Sequence, residues 1–241
     1  MKFFAFPLKQ ITFAAAFACA ASAHGAALPP AIAAQLAANY PAVESLYLDL
    51  HRHPELAFQE VETAKKLADK VKALGFDVTT GVGGTGVVAI LRNGPGPVVM
   101  LRTEIDALPV LEKTGLPFAS SAVAKNAAGE TVPVMHACGH DVHMSAWYGS
   151  AKLMADNRQH WSGTLMLVGQ PAEEPLLGAA AMLKDGLFTR FPKPDYALSF
   201  HDEATLPSGT VGYHAGYFRA AADTISITVY GQGGHGAAPH D

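Results

Sequence analysis

Cysteine is scarce in this sequence: Cys19 and Cys138 are the only two in 241 residues. Charge is scarce as well, at 16% Asp, Glu, Lys and Arg, with a formal net charge of −4 and no run of Lys or Arg. Without a basic tract the chain lacks the electrostatic footprint of a nucleic-acid binder, so nucleic acid is not expected as a partner. With 49% apolar residues, the low charge also excludes a disordered chain and fits a protein with a substantial core. No internal repeat or long low-complexity tract is present. The length suits one large domain, or one domain and part of another.

What is present begins with MKFFAFPLKQITFAAAFACAASA. Lys2 and Lys9 precede the apolar run Ile11 to Ala20, and Ala21-Ser22-Ala23 supplies small residues for cleavage before His24. Residues 1–23 are therefore expected to be a signal peptide of a periplasmic or secreted protein. The apolar run is well short of the ~20 residues of a spanning helix, so no stable membrane anchor is expected. Lipid attachment at Cys19 is a weaker alternative, because Phe17-Ala18 make a poor lipoprotein signal. Removal of the signal leaves Cys138 as the one mature cysteine, with no internal disulfide partner in an oxidising compartment. Such a thiol is a liability unless it is buried or bound to something, which favours Cys138 as a ligand.

An Ala/Pro-rich spacer, residues 24–40, is expected next. Val43, Leu46, Tyr47 and Leu50 recur at helical spacing, and Pro54 stops that helix. A second amphipathic helix carries Val61, Ala64, Leu67, Ala68, Val71 and Leu74 on one face and ends at Gly75. FDVTT, VVAIL and PVVMLR then read as strands. GVGGTG (Gly81 to Gly86) has the glycines of a dinucleotide loop but is followed by a strand rather than a helix, so it reads as a hairpin turn. Beyond it, DVHMSAWYGSAKLMA and AAAMLKDGLF read as helices, and GTLMLVGQ and PDYALSF as strands. Apolar strands alternating with helices predict an α/β fold, a three-layer, mostly parallel sheet with helices on both faces. From Phe218 the pattern changes, and Ile225, Ile227 and Val229 alternate as in a half-buried strand that starts a second unit. The expected catalytic domain is residues 41–215, with 216–241 opening the next.

Four polar clusters follow or adjoin strands: RTEID, HACGHD, PAEE and HDE. In open α/β sheets the functional crevice lies outside the carboxyl ends of the strands, so the four form one candidate site. Cys138 and His140 flank Gly139, which permits the tight path needed for both to reach one ion. Glu173 and Glu174 are adjacent and point apart, so one can bind metal while the other takes a proton from the bound water. A solvated acidic loop is the bland alternative for that pair. His201 has the type and place of a further ligand, with Asp202 and Glu203 read as surface charges. Asp106 is read either as a carboxylate that orients a ligand histidine through its ring N–H or as a cap for the turn before Pro109. His143 is assigned to packing, and His51 and His53 to local structural work at a helix end.

HRHPELAFQE, RTEIDALP, MHACGHDVHM, GQPAEE and GQGGHGAAPH occur here in the order found in one metallopeptidase family, which contains aminoacylases, hippurate hydrolases and auxin-conjugate hydrolases. The resemblance runs from about His51 to Asp241. It implies a two-metal site of zinc or manganese, with cobalt and nickel also compatible with mixed S, N and O donors. By resemblance, Cys138, His140, Glu174 and His201 are ligands and Glu173 is the general base. His235 is similar to a histidine of a small α+β lid or dimerisation domain that stabilises the oxyanion. The implied reaction is amide hydrolysis of N-acyl amino acids or small peptides, in a homodimer where the lid is complete. An aminopeptidase or dipeptidase of the same architecture, or a non-catalytic metal-binding remnant, are the alternatives. Two departures stand out: Glu104 replaces the family's usual aspartate, and the last ligand histidine of relatives has no counterpart. The sequence is accordingly expected to be an N-terminal fragment with little or no activity by itself.

Overall fold

The computed structural model describes residues 28–216, 225–228, 230–231, 233 and 235–237. The expected signal peptide, residues 1–23, lies outside the described residues. Compactness divides the chain between His201 and Asp202, earlier than the expected 215/216 boundary.

In the first unit, helix α1 spans Pro30–Arg52 with proline in its first turn, where the missing N–H costs nothing. The expected spacer 24–40 is thus helical from Pro30, because its alanines are strong helix formers. Pro41 is tolerated inside α1 on an exposed face. Helix α2, Val61–Ala73, buries Ala64, Leu67, Ala68 and Val71, while Val61 at its first position is exposed. Gly75 (φ +88°) ends it: its N–H reaches the Lys72 carbonyl, and the Phe76 N–H reaches Val71. This pair of bonds is a Schellman stop, sealed by contact between Phe76 and the Val71 side of the core.

The remaining elements are strands β1 (Asp77–Val82), β2 (Gly86–Asn93) and β3 (Val98–Glu104), a small hairpin of β4 (Val123–Lys125) and β5 (Thr131–Pro133), helix α3 (His140–Asp156), strand β6 (Gly163–Gln170), short helices α4 (Gly178–Lys184) and α5 (Leu187–Arg190), and strand β7 (Tyr196–Leu198). The main sheet has the order β1-β2-β6-β3-β7. β6, β3 and β7 are mutually parallel, and β2 runs against both β1 and β6. Only β2 is therefore reversed, and the sheet is mostly parallel in direction.

Alternate residues of the strands feed two cores. Val87, Ala89, Leu91, Leu165 and Leu167 face α1, α2 and α3. Val88, Ile90, Met166 and Val168 face α4 and α5 through Met182 and Leu187. This is the expected three-layer arrangement, and each fully buried aliphatic side chain contributes about 1.5–3 kcal/mol. The segment expected as one helix, AAAMLKDGLF, is broken into α4 and α5 at Gly186 (φ +89°).

Strand register sets up the site. Glu104 pairs with Gln170, so β3 and β6 end level with each other. Leu101 pairs with Leu198, the last residue of β7, and His201 follows three residues beyond that strand. Beyond the strand ends, Leu56 bridges Ala107 and Leu108 bridges Met135, which stitches HRHPEL, RTEIDALP and MHACGHD side by side.

In the second unit the expected half-buried strand is only partly described. Residues 225–228 carry no strand pairing, and Ile225 and Ile227 are 81% and 82% exposed. His235 is exposed, and its Nδ1 accepts the Ala237 N–H (3.2 Å).

Candidate metal centre

Cys138, Gly139 and His140 make the turn that opens α3. Gly139 sits at φ +78°, a left-handed conformation that L side chains resist, and it places Cys138 and His140 on the same approach. His140 is 1% exposed. Its Nδ1–H donates to the Asp106 carbonyl (2.8 Å), which leaves the Nε2 lone pair directed into the cluster. On the other side, Cys138 Sγ lies 3.4 Å from His201 Nε2, after β7. One donor atom from each of Cys138, His140 and His201 lies within 4.8 Å of the other two.

The loop after β6 supplies the glutamates. Glu173 Oε2 and Glu174 Oε1 lie 3.8 and 3.9 Å from His140 Nε2, too far for hydrogen bonds. His140 Nε2 and Glu174 Oε1 are both buried without a hydrogen-bond partner. Bonds of ~2.0–2.3 Å to a tetrahedral metal ion set neighbouring donors roughly 3.3–3.7 Å apart. The spacings here are close to that, so two buried, otherwise unsatisfied lone pairs fit a cation held between them. The residues present therefore fit a metal group. Asp106 braces both sides: its Oδ2 accepts the Glu174 N–H (3.0 Å), and its Oδ1 is 3.4 Å from His140 Nδ1. The His140 ring N–H is taken by the Asp106 backbone carbonyl, while the Asp106 carboxylate holds the Glu174 N–H rather than capping the turn before Pro109.

The electrostatics favour positive charge at this point. Burial opposes charging of His140, yet the Asp106 carboxylate, with Glu104 behind it, raises its imidazole to about 9; a cation bound at Nε2 would take the place of that proton. Burial pushes Glu174 up, and the carboxylates of Glu173 and Asp106 add to this against the pull of His140. Crowded carboxylates of this kind are relieved by a bound cation.

Two members of the cluster were not assigned from the sequence. His143, expected in a packing role, is fully buried one turn beyond His140 and directs Nδ1 at Glu104 Oε2 (3.0 Å). Donor atoms of Glu104, His140 and His143 lie within 4.8 Å of one another, and the His143 and His201 rings are 4.5 Å apart. Burial works against ionisation of Glu104, but the His143 bond and the Arg102 guanidinium hold its carboxyl down at about 2. The i,i+3 spacing of His140 and His143 was the available signal, since it puts both on one helical face. His51 is also more than a local feature: its Nδ1 meets Asp141 Oδ2 (2.6 Å) and its Nε2 meets Glu112 Oε1 (3.1 Å), both far away in sequence. His53 does stay local, bonded to the Asp49 carbonyl at 2.8 Å. His235 belongs to the second unit.

Comparison with known proteins follows the same residues. A hippurate hydrolase of Campylobacter jejuni is 41% identical over 197 residues, 81% of this chain and 48% of that protein. A thermostable carboxypeptidase of Saccharolobus solfataricus is 40% identical over 196 residues, 80% of this chain and 47% of its own length. The chain thus spans about half the length of the curated relatives it matches. The crystal structure of the Bacillus subtilis YXEP protein, a dinuclear metal-binding peptidase, superposes with a TM-score of 0.62 at 36% identity, covering 71% of this chain and 45% of that one. The sequence model of peptidase family M20/M25/M40 matches residues 100–240, which hold every donor of the cluster. With that match over more than half its length, the chain belongs to peptidase family M20/M25/M40.

Proposed function

We propose that the whole protein is a metal-dependent amidohydrolase that cleaves the amide bond of N-acyl amino acids or small peptides. The observation that carries this reading is the convergence of Cys138, His140, Glu173, Glu174 and His201 around two buried, unpartnered donor atoms. Cys138, His140, Glu174 and His201 would hold a pair of divalent ions, zinc or manganese first, cobalt or nickel also suiting the donors. When bound, the ions polarise the scissile carbonyl and make a water acidic enough to ionise near neutral pH. Glu173 is the less enclosed of the two glutamates and stands beside His140, where it takes the proton of the attacking water and returns it to the leaving amine. His235 is proposed to donate to the developing oxyanion, and the second unit to take part in a homodimer. Export through residues 1–23 belongs to the same proposal; N-terminal sequencing of the exported protein is expected to start at His24, and an intact Met1 start would remove it.

Glu173→Gln is expected to keep bound metal and lose activity by roughly 10²-fold or more in the full-length enzyme. Cys138→Ala is expected to lower metal content by elemental analysis. Near-wild-type turnover in the first variant, or unchanged stoichiometry in the second, removes the corresponding role. The carboxypeptidase relative favours a second reading, peptide hydrolysis. Turnover of N-acyl amino acids compared with that of free and N-blocked peptides separates the two, and a metal-loaded protein that turns over none of them is a non-catalytic binder.

A further inference from the structure

Glu60, the last residue of HRHPELAFQE, has no part in the chemistry above, yet its side chain is 0% exposed. Burying a carboxylate is unfavourable unless its oxygens are bonded. It occupies the N-cap position of α2 but makes no side-chain cap bond. That task falls to Glu55, whose carboxylate accepts the N–H groups of Glu62 (3.2 Å) and Thr63 (2.7 Å). Glu60 is directed elsewhere. Its Oε1 accepts the Ala172 N–H at 2.8 Å across 112 residues of chain, and its Oε2 accepts the Thr85 hydroxyl at 2.5 Å.

Both partners matter. Ala172 is the residue before Glu173 and has φ +45°, a conformation an alanine does not hold unaided. Leu176 in the same loop (φ +60°) and Phe58 beside Glu60 (φ +60°) are the other positive-φ residues besides glycine among the described residues. Strain is therefore concentrated in the loop that bears the glutamates and in the segment that grips it. Thr85 comes from the β1–β2 turn, which is pressed against the same loop: a Cβ on Gly86 would stand 3.0 Å from Pro171 Cδ. The opposite flank is held by Asp106, which accepts the Glu174 N–H. Two buried carboxylates thus take the backbone N–H groups on either side of Glu173.

We propose that Glu60 is a positioning residue: through Ala172 it fixes the backbone from which Glu173 and Glu174 project, with Thr85 steadying its second oxygen. This rests on the reading of the Glu173–Glu174 loop as part of a catalytic metal site. The test is steady-state kinetics on the full-length, metal-saturated enzyme, with metal content and melting temperature recorded for each variant and assays run well below melting. Glu60→Leu leaves the Ala172 N–H unanswered and is expected to lower kcat roughly 10–100-fold with little change in KM, as small misplacements of reacting groups do. Glu60→Gln, whose amide oxygen still accepts that N–H, is expected to recover most of the loss, and Thr85→Val to show a smaller fall in kcat. A mere stability anchor would lower melting and leave kcat of the folded enzyme intact. Wild-type kcat in folded Glu60→Leu overturns the proposal, as does a loss that excess metal fully restores. Should Glu60→Leu not fold, Thr85→Val decides: a lower kcat at unchanged melting supports the role, and an unchanged kcat overturns it. Glu173→Gln run in parallel separates the two ideas. If it stays active while Glu60→Leu does not, the base assignment fails and the positioning role stands; the reverse pattern rejects Glu60 alone.

Discussion

His143 shows how a residue's surroundings can outweigh its apparent role. Its position one turn after His140 is visible in MHACGHDVHM, but the sequence does not show that Glu104 comes up beneath it from β3. The Glu104 side chain reaches both His143 and Arg102. His143→Leu is expected to leave the buried carboxylate short of a partner, at a cost of about 1–3 kcal/mol. Urea unfolding of metal-stripped protein measures it, and an unchanged midpoint would show the pair to be energetically idle. Cys138, His140, Glu173, Glu174 and His201 were legible because each is a chemically distinctive residue just beyond an apolar strand or before a helix. Asp106 was legible in kind but not in action, since its two partners come from loops 34 and 68 residues away.

At the scale of elements, β2 and β6 were easy to read because both faces are covered, so each appears as a nearly unbroken apolar run. The glycine-rich turn was recognised as a hairpin for a physical reason: a strand, not a helix, follows it. The β4–β5 hairpin was not anticipated, because three-residue strands carry too little alternation to register. The helix that replaces the expected spacer depends on Pro30 and on alanines that are also common in linkers. The loop between β6 and α4 carries both glutamates of the proposed site. A Cβ on Gly178 would lie 1.5 Å from the Pro171 carbonyl oxygen, so any side chain there forces the loop open. Gly178→Ala is accordingly expected to reduce metal content and activity together while far-UV circular dichroism stays unchanged. Full metal occupancy in this variant would show that the loop tolerates the shift.

For the whole molecule, the proposed ligands come from the α3 turn, the β6 loop and the segment after β7, a spread that would couple metal binding to folding. An ion that binds only the native state stabilises it by about 2.7 kcal/mol at a hundred times its dissociation constant. Chelation is therefore expected to lower the melting temperature and re-addition of zinc or manganese to restore it. A melting temperature indifferent to chelation would separate the cluster from the fold's stability. No helix among the described residues is long and apolar enough to cross a membrane.

The sequence by itself determined which residue types were on offer, the strands that carry them and the family order of the motifs, because these are properties of short segments. Only the tertiary structure decided which atoms face one another. The pairing of Glu104 with Gln170 levels the ends of β3 and β6, and that of Leu101 with Leu198 sets β7 beside them; this alignment brings donors distant in sequence within a few ångströms. The same packing recruits His143 and Glu104 into the cluster and sends Glu60 to the backbone of Ala172. Such contacts arise from strand alignment and from the need to satisfy buried polar groups, and neither is written in any single stretch of chain.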